Sequence, residues 1–216
     1  MSLIRAPLVL LHAVLYQLAS TPPNKTPSTA RIDSSESPFI RIAPLIFKIQ
    51  QPLLLPTSHF AIRSTPAFLA GLSLVTAGTL LRLTCYRYLG ALFTFDLTLL
   101  PKHTLITRGP YSVVRHPAYL GSILVFLGLG LADLSPGGWV AECVSAGDHA
   151  SPSLLGPAVG PRLATSWALF AVWFAWWLAV GVRRARMEDA TLRKEFGREW
   201  DVYARRVRSW FVPGLL

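Results

Sequence analysis

Two places in this 216-residue sequence put reactive side chains beside long apolar runs. Arg184 and Glu188 directly follow one such run, and RGPYSVVRHPAYLG, residues 108–121, directly precedes another. A spacing of four places Arg184 and Glu188 on one face of a helix. On a solvated helix such a pair contributes only about 0.3–0.5 kcal/mol. At a membrane boundary, ionisable groups more often mark a site. In the second stretch Pro110 and Pro117 stiffen the chain, Gly109 permits a tight turn, and Pro117 suits the first position of a helix. The expectation is a helix N-terminus whose Ala118, Tyr119 and Leu120 N–H groups point back toward Arg115 and His116. That is an anion-binding corner. The plainer reading of the same residues is an interfacial belt of tyrosine and arginine.

The elements that position these groups are set by composition. The chain is 52% hydrophobic with seven tryptophans and only 15% charged, where soluble domains carry about 25%. A membrane-crossing helix needs roughly 20 apolar residues. Four stretches approach that: residues 3–19, 66–86, 119–135 and 163–182. The expected fold is all-α, a polytopic membrane bundle of about four transmembrane helices with a C-terminal amphipathic cytoplasmic helix. Residues 1–19 also have the features of a signal peptide, with Arg5 before an apolar stretch and Ala19-Ser20 after it. Residues 20–38 form a polar linker rich in Ser, Thr and Pro. Residues 39–58 mix apolar residues with Arg41, Lys48 and three prolines, an interfacial or re-entrant pattern. Arg82, late in the second helix, is expected to snorkel to the interface. The chain divides into an N-terminal membrane segment with its polar loop, 1–65, and a membrane domain, 66–216.

The formal net charge of +10 is carried by residues flanking apolar runs, which argues for cytoplasmic loops and anionic headgroups rather than nucleic acid. Nine Lys and Arg residues follow Val182, and Arg87, Lys102, Arg108 and Arg115 follow the second helix. The positive-inside rule therefore puts residues 87–118 and 183–216 in the cytoplasm. An even number of helices then puts the N-terminus there and the 20–65 loop in the lumen. The two cysteines form no CxxC, and no two of the five histidines stand at a metal-ligand spacing, so no metal is expected. GLGLAD, residues 128–133, imitates part of a dinucleotide fingerprint but has no strand before it. Leu192, Phe196, Trp200, Tyr203, Val207 and Trp210 recur at helical spacing. That predicts one amphipathic helix to about Trp210, lying on the membrane.

HTLITRGPYSVVRHPAYLG at 103–121, an apolar hairpin, and then RRARMEDATLRKEFGREWDVYARRV at 183–207 resemble the isoprenylcysteine carboxyl methyltransferases. These are integral membrane enzymes of the endoplasmic reticulum that methylate the C-terminal carboxylate of prenylated proteins with S-adenosylmethionine. Phospholipid N-methyltransferases and sterol reductases carry related RHPxY loops. The resemblance covers about half the chain. It implies a cofactor site on His103, Thr104, Leu105, Ile106, Tyr111, His116, Pro117, Ala118, Tyr119 and Glu188, with Arg184 holding the substrate carboxylate. In that scheme His116 and the helix N-terminus hold the cofactor's own carboxylate. Asp96 and Asp189 depart from the family pattern. The implied partners are prenylated protein C-termini and membrane lipids, at the endoplasmic reticulum membrane with the site facing the cytoplasm. A carboxylate is already ionised near neutral pH, so methyl transfer to it needs no general base. The alternatives are a phospholipid or small-amine N-methyltransferase, whose acceptor would need a proton taken away, and a non-catalytic membrane scaffold.

Overall fold

The computed structural model describes residues 5–21, 23–24, 63–94, 103–145 and 161–214. Most of the polar linker, the 39–58 stretch and Asp96 lie outside them. Among the described residues the secondary structure is helical. It comprises α1 (Arg5–Ser20), α2 (Pro66–Leu89), α3 (Pro117–Leu134), the short α4 (Trp139–Ser145), α5 (Pro161–Phe196) and α6 (Arg198–Arg206). Single 3₁₀ turns lie at Gly90–Leu92 and Gly109–Ser112. Thr65 caps α2 by accepting from the Phe68 N–H at 3.2 Å, and proline opens both α2 and α3, where no N–H is needed. Three segments are long and apolar enough to cross a membrane: Pro66–Leu92, Pro117–Glu142 and Leu163–Phe196. The described part of α1 has 16 residues, roughly 24 Å, so among the described residues three of the four expected spans reach a bilayer's apolar thickness.

The core of the bundle is the seam between α2 and α3. Gly71 faces Gly128 and Gly78 faces Gly121, and a Cβ on Gly78 would stand 2.5 Å from the Gly121 carbonyl oxygen. Two backbones can approach this closely only where neither carries a side chain. Tyr16 and Ala19 of α1 pack against Val75, Val125 and Leu129 beside the seam. Arg82 does not snorkel. It is 8% exposed, and its Nε donates to the Ala19 carbonyl at 2.7 Å. Its Nη1 donates to the Ala118 carbonyl at 3.0 Å and to Ser122 Oγ, and its Nη2 to the Tyr86 hydroxyl at 2.8 Å. A guanidinium in an apolar region is stable only when such acceptors replace water. Here they come from three helices, so Arg82 ties α1, α2 and α3 at one end.

That tie fixes the helix directions. Thr79 Oγ1 donates to the Leu15 carbonyl, Arg82 to that of Ala19, and Asn24 Nδ2 to those of Gly90 and Phe93, both at 2.8 Å. Both numbers ascend together, so α1 and α2 are parallel. Ala19 and Asn24 therefore sit at the same end as Gly90 and Ala118, while Arg63 pairs with Gly137 at the opposite end. The expectation put the 20–65 loop and the 87–118 loop on opposite sides of the membrane; these bonds instead hold the described start of the first loop at the same end as the start of the second. In a cysteine-free background, Thr21→Cys and Arg198→Cys should react with an impermeant maleimide from one side of sealed vesicles and Ser64→Cys from the other. Labelling of positions 21 and 64 from the same side would overturn the parallel arrangement.

The tail also differs from expectation. α5 runs unbroken for 36 residues, from the apolar zone out to Phe196, and Gly197 at φ +51° then turns the chain into α6. α6 ends at Arg206 rather than near Trp210, and Val207 is already outside the helix. Its apolar face is turned toward the protein, not to lipid: Trp200 and Tyr203 are buried, as is Val207 just beyond the helix.

Candidate functional site

The loop between α2 and α3 is held from three sides. Gly109 has φ +63°, and a Cβ there would lie 2.3 Å from the Tyr88 ring, so the turn accepts no side chain. The Tyr203 hydroxyl of α6 donates to the Tyr111 carbonyl at 2.8 Å. The Arg115 and His116 N–H groups donate to the carbonyls of Ser209 and Trp210 at 3.0 and 2.9 Å. The segment after α6 is thus a strap laid along the loop. Arg115 strengthens it by donating to the Arg208 carbonyl at 3.0 Å and by standing over the Trp210 ring, 5.5 Å from its centre.

His116 caps the site from beneath and is only 3% exposed. Its Nε2 lies 3.0 Å from Asp189 Oδ1, and its Nδ1 lies 3.6 Å from Glu188 Oε2, an ion-pair distance rather than a hydrogen bond. Asp189 Oδ2 accepts from Arg115 Nη1 at 2.6 Å. Asp189 was noted in the sequence only as a departure from a pattern, yet it anchors this network. Burial pushes the His116 imidazolium toward neutrality, but the hydrogen bond to Asp189 and the contact with Glu188 outweigh it and raise its pKa to about 9. A raised histidine pKa contributes stability that is complete below its ordinary value of 6.5 and is lost as pH rises through about 9. The stability difference between wild type and His116→Gln, read as a melting temperature in detergent, should therefore shrink across that range. A difference independent of pH would show that His116 is not charged.

The anion corner expected at the start of α3 is altered by the same geometry. The His116 carbonyl accepts from both the Tyr119 and the Leu120 N–H, at 3.1 and 3.4 Å, so two of the three N–H groups are already occupied. Both ring nitrogens of His116 face carboxylates, which leaves the ring no nitrogen for an anion.

A cavity of about 280 Å³ opens beside this cluster, near the lower end of the range for small-molecule sites. His103, Thr104, Leu105, Ile106, Tyr111, His116, Ala118, Tyr119, Arg184 and Glu188 all line it. Pro117 does not and is fully buried behind the wall. Arg82 and Ser122 also line it and were not anticipated there. An arginine within an apolar helix was a usable signal, but its position late in the run suggested snorkelling. The wall is polar near the loop. It becomes apolar deeper down, at Val125 and Phe126 of α3 and at Trp176, Trp177 and Val180 of α5. Arg184 and Glu188 stand one turn apart on that wall, and the Arg184 charge acts on Glu188.

The residues present fit a cofactor with a cationic centre and a polar heterocycle. The Glu188 side chain is 37% exposed and faces the cavity, available to a cation. Among the described residues the buried Nδ1 of His103 has no hydrogen-bond partner, and its ring stands on the wall beside Phe196 at 6.0 Å. Burial lowers the His103 pKa, opposed by Glu188 and Glu195, so the ring is held neutral with a nitrogen to offer a ligand.

Fold and site together define a helical membrane protein with a part-polar, part-apolar cavity at one membrane boundary. Comparison with known proteins narrows this. Residues 66–146, from α2 into the segment after α4, match the family model described as phospholipid methyltransferase. Over 118 residues, 51% of this chain, the protein is 29% identical to Delta(14)-sterol reductase ERG24B of Gibberella zeae. The match covers 24% of that reductase, so the chain spans about a quarter of its length. No solved structure matches.

Proposed function

We propose that this protein is a membrane-embedded, S-adenosylmethionine-dependent methyltransferase that esterifies the C-terminal carboxylate of a prenylated cysteine. The observation that carries the reading is one cavity with Arg184 and Glu188 on its polar wall and aromatic residues at its apolar end. The phospholipid methyltransferase match over residues 66–146 supports the reaction class, and Arg184 supports a carboxylate as acceptor. When bound, the cofactor supplies an electrophilic methyl on a sulfonium. Transfer of that methyl from sulfur to a carboxylate oxygen would need no proton to move, so the residues here would have only to bind and orient the two partners. Arg184 orients that carboxylate, and Glu188, fixed through His116 and Asp189, attracts the cationic side of the cofactor. The apolar walls take the prenyl chain and exclude water, which sharpens each of these interactions. The reading places the protein in the endoplasmic reticulum membrane with the basic tail and the cavity mouth toward the cytoplasm, acting on prenylated protein C-termini.

The family match favours a second acceptor, the amine of a phospholipid headgroup. An amine must lose a proton, and Glu188 would receive it. The two readings separate in one assay: purified protein, labelled S-adenosylmethionine, and either N-acetyl-S-farnesylcysteine or phosphatidylethanolamine vesicles. Label in the farnesylcysteine ester supports the first reading. Label confined to the lipid replaces it with the second.

A further inference from the structure

The cavity ends abruptly. On α5 its wall descends through Glu188, Arg184 and Gly181 to Trp177 and Trp176, and on α3 through Ser122 to Phe126. One turn deeper Trp173 and Phe174 do not line it. They pack behind it instead, with the Phe126 ring 5.2 Å from Trp173 and the Phe174 ring stacked 6.1 Å from Trp177. Phe126 and Trp177 close the gap between the two helices edge to face, with centres 4.6 Å apart. Higher up, a Cβ on Gly181 would meet only the Tyr119 ring, at an ordinary 3.7 Å. Packing does not require glycine there, so the missing side chain is space left to the cavity. Seven residues separate Arg184 from Trp177, roughly 10 Å of helix.

We infer that Phe126 and Trp177 form a floor that limits the length of the apolar tail the cavity accepts, and that Gly181 keeps the neck above it open. The inference rests on the proposed methyltransferase reading. A tail anchored by its carboxylate at Arg184 reaches the two locked rings before its far end is placed and must turn there, so each added isoprene unit lengthens the part that has to be accommodated against them. Removing one ring opens the channel into the space the indole occupied.

The test compares N-acetyl-S-farnesylcysteine with its geranylgeranyl counterpart, using labelled S-adenosylmethionine. Wild type should favour the farnesyl compound. Trp177→Ala should raise the geranylgeranyl-to-farnesyl ratio of kcat/KM by about tenfold or more, on the scale by which apolar pockets discriminate chain length. Trp177→Phe, which keeps an aromatic ring, should fall between. Val172→Ala, on the exposed face of the same helix, should leave the ratio unchanged. Gly181→Leu should lower kcat/KM for both tails by narrowing the neck. An unchanged ratio in both folded Trp177 variants overturns the floor and leaves the methyltransferase reading standing. No methylation of either compound by the wild type overturns that reading, and this inference with it.

Discussion

Replacing Arg184 by lysine lowers kcat/KM for a farnesylcysteine substrate by about ten- to a hundredfold. The expectation follows from geometry rather than charge, since lysine keeps the charge. A guanidinium presents a planar fork that matches both oxygens of a carboxylate, and an ammonium does not. A hydrogen bond to a charged group contributes roughly 1.5–3 kcal/mol, and each factor of ten in kcat/KM is about 1.4 kcal/mol. If Arg184 served only as a helix-surface partner of Glu188, the change would stay within about 0.5 kcal/mol. Glu188→Gln should act elsewhere, raising the KM for S-adenosylmethionine more than that for the acceptor. Neither change removes apolar surface, so both variants should fold. Steady-state kinetics with acceptor and cofactor varied separately decide the matter. Near wild-type kcat/KM in Arg184→Lys would leave the substrate carboxylate without its anchor.

Gly78→Ala should strongly destabilise the seam between α2 and α3. Its Cβ would lie 2.5 Å from the Gly121 carbonyl oxygen and 2.9 Å from the Val125 backbone nitrogen. Neither is a flexible side-chain end, so α2 and α3 must separate. Overpacking of this kind costs about 1–3 kcal/mol. Because the Arg82 bonds to Ala118 and Ser122 cross the same seam, the separation should also loosen the start of α3 and weaken cofactor binding. Gly121→Ala pushes on the same contact from the other side. Once the helices have parted the second methyl costs little, so the double variant should be less destabilised than the sum of the singles. Gly181→Ala, whose Cβ meets nothing closer than 3.7 Å, provides the comparison. Thermal unfolding in detergent followed by tryptophan fluorescence measures all four. Equal melting temperatures for Gly78→Ala and Gly181→Ala would show that the seam is not the constraint described here.

Much of the architecture was legible because apolar run length and proline position are local signals. Pro66 and Pro117 open helices where the sequence indicates, and the run from Leu163 is a single long helix. The parts that were not legible depend on contacts between distant segments. Trp200, Tyr203 and Val207 carry the periodicity of a membrane-surface helix, but periodicity cannot say whether such a face meets lipid or protein. Here it meets the loop around Tyr111 and Arg115. Helix direction was equally hidden. Counting spans assumes that each membrane-crossing helix changes sides, and only the bonds from Thr79 to Leu15, from Arg82 to Ala19 and from Asn24 to Gly90 reveal that α1 and α2 run together. The reactive residues themselves were readable from type and spacing, whereas their pairings were not. His116 next to a helix start suggests an anion site, and it takes Asp189, 73 residues further on, to turn the ring into a cation's seat between two acids.

The bonds from Asn24 have one more consequence. Asn24, Lys25 and Thr26 spell the acceptor pattern for N-linked glycan addition. An asparagine amide has two hydrogens to donate, and here one nitrogen serves both the Gly90 and the Phe93 carbonyls. Attaching a sugar to that nitrogen would consume one hydrogen and place a bulky group where the end of α2 is held. In the folded protein this asparagine is closed to glycan transfer by its own hydrogen bonds, whichever compartment it faces.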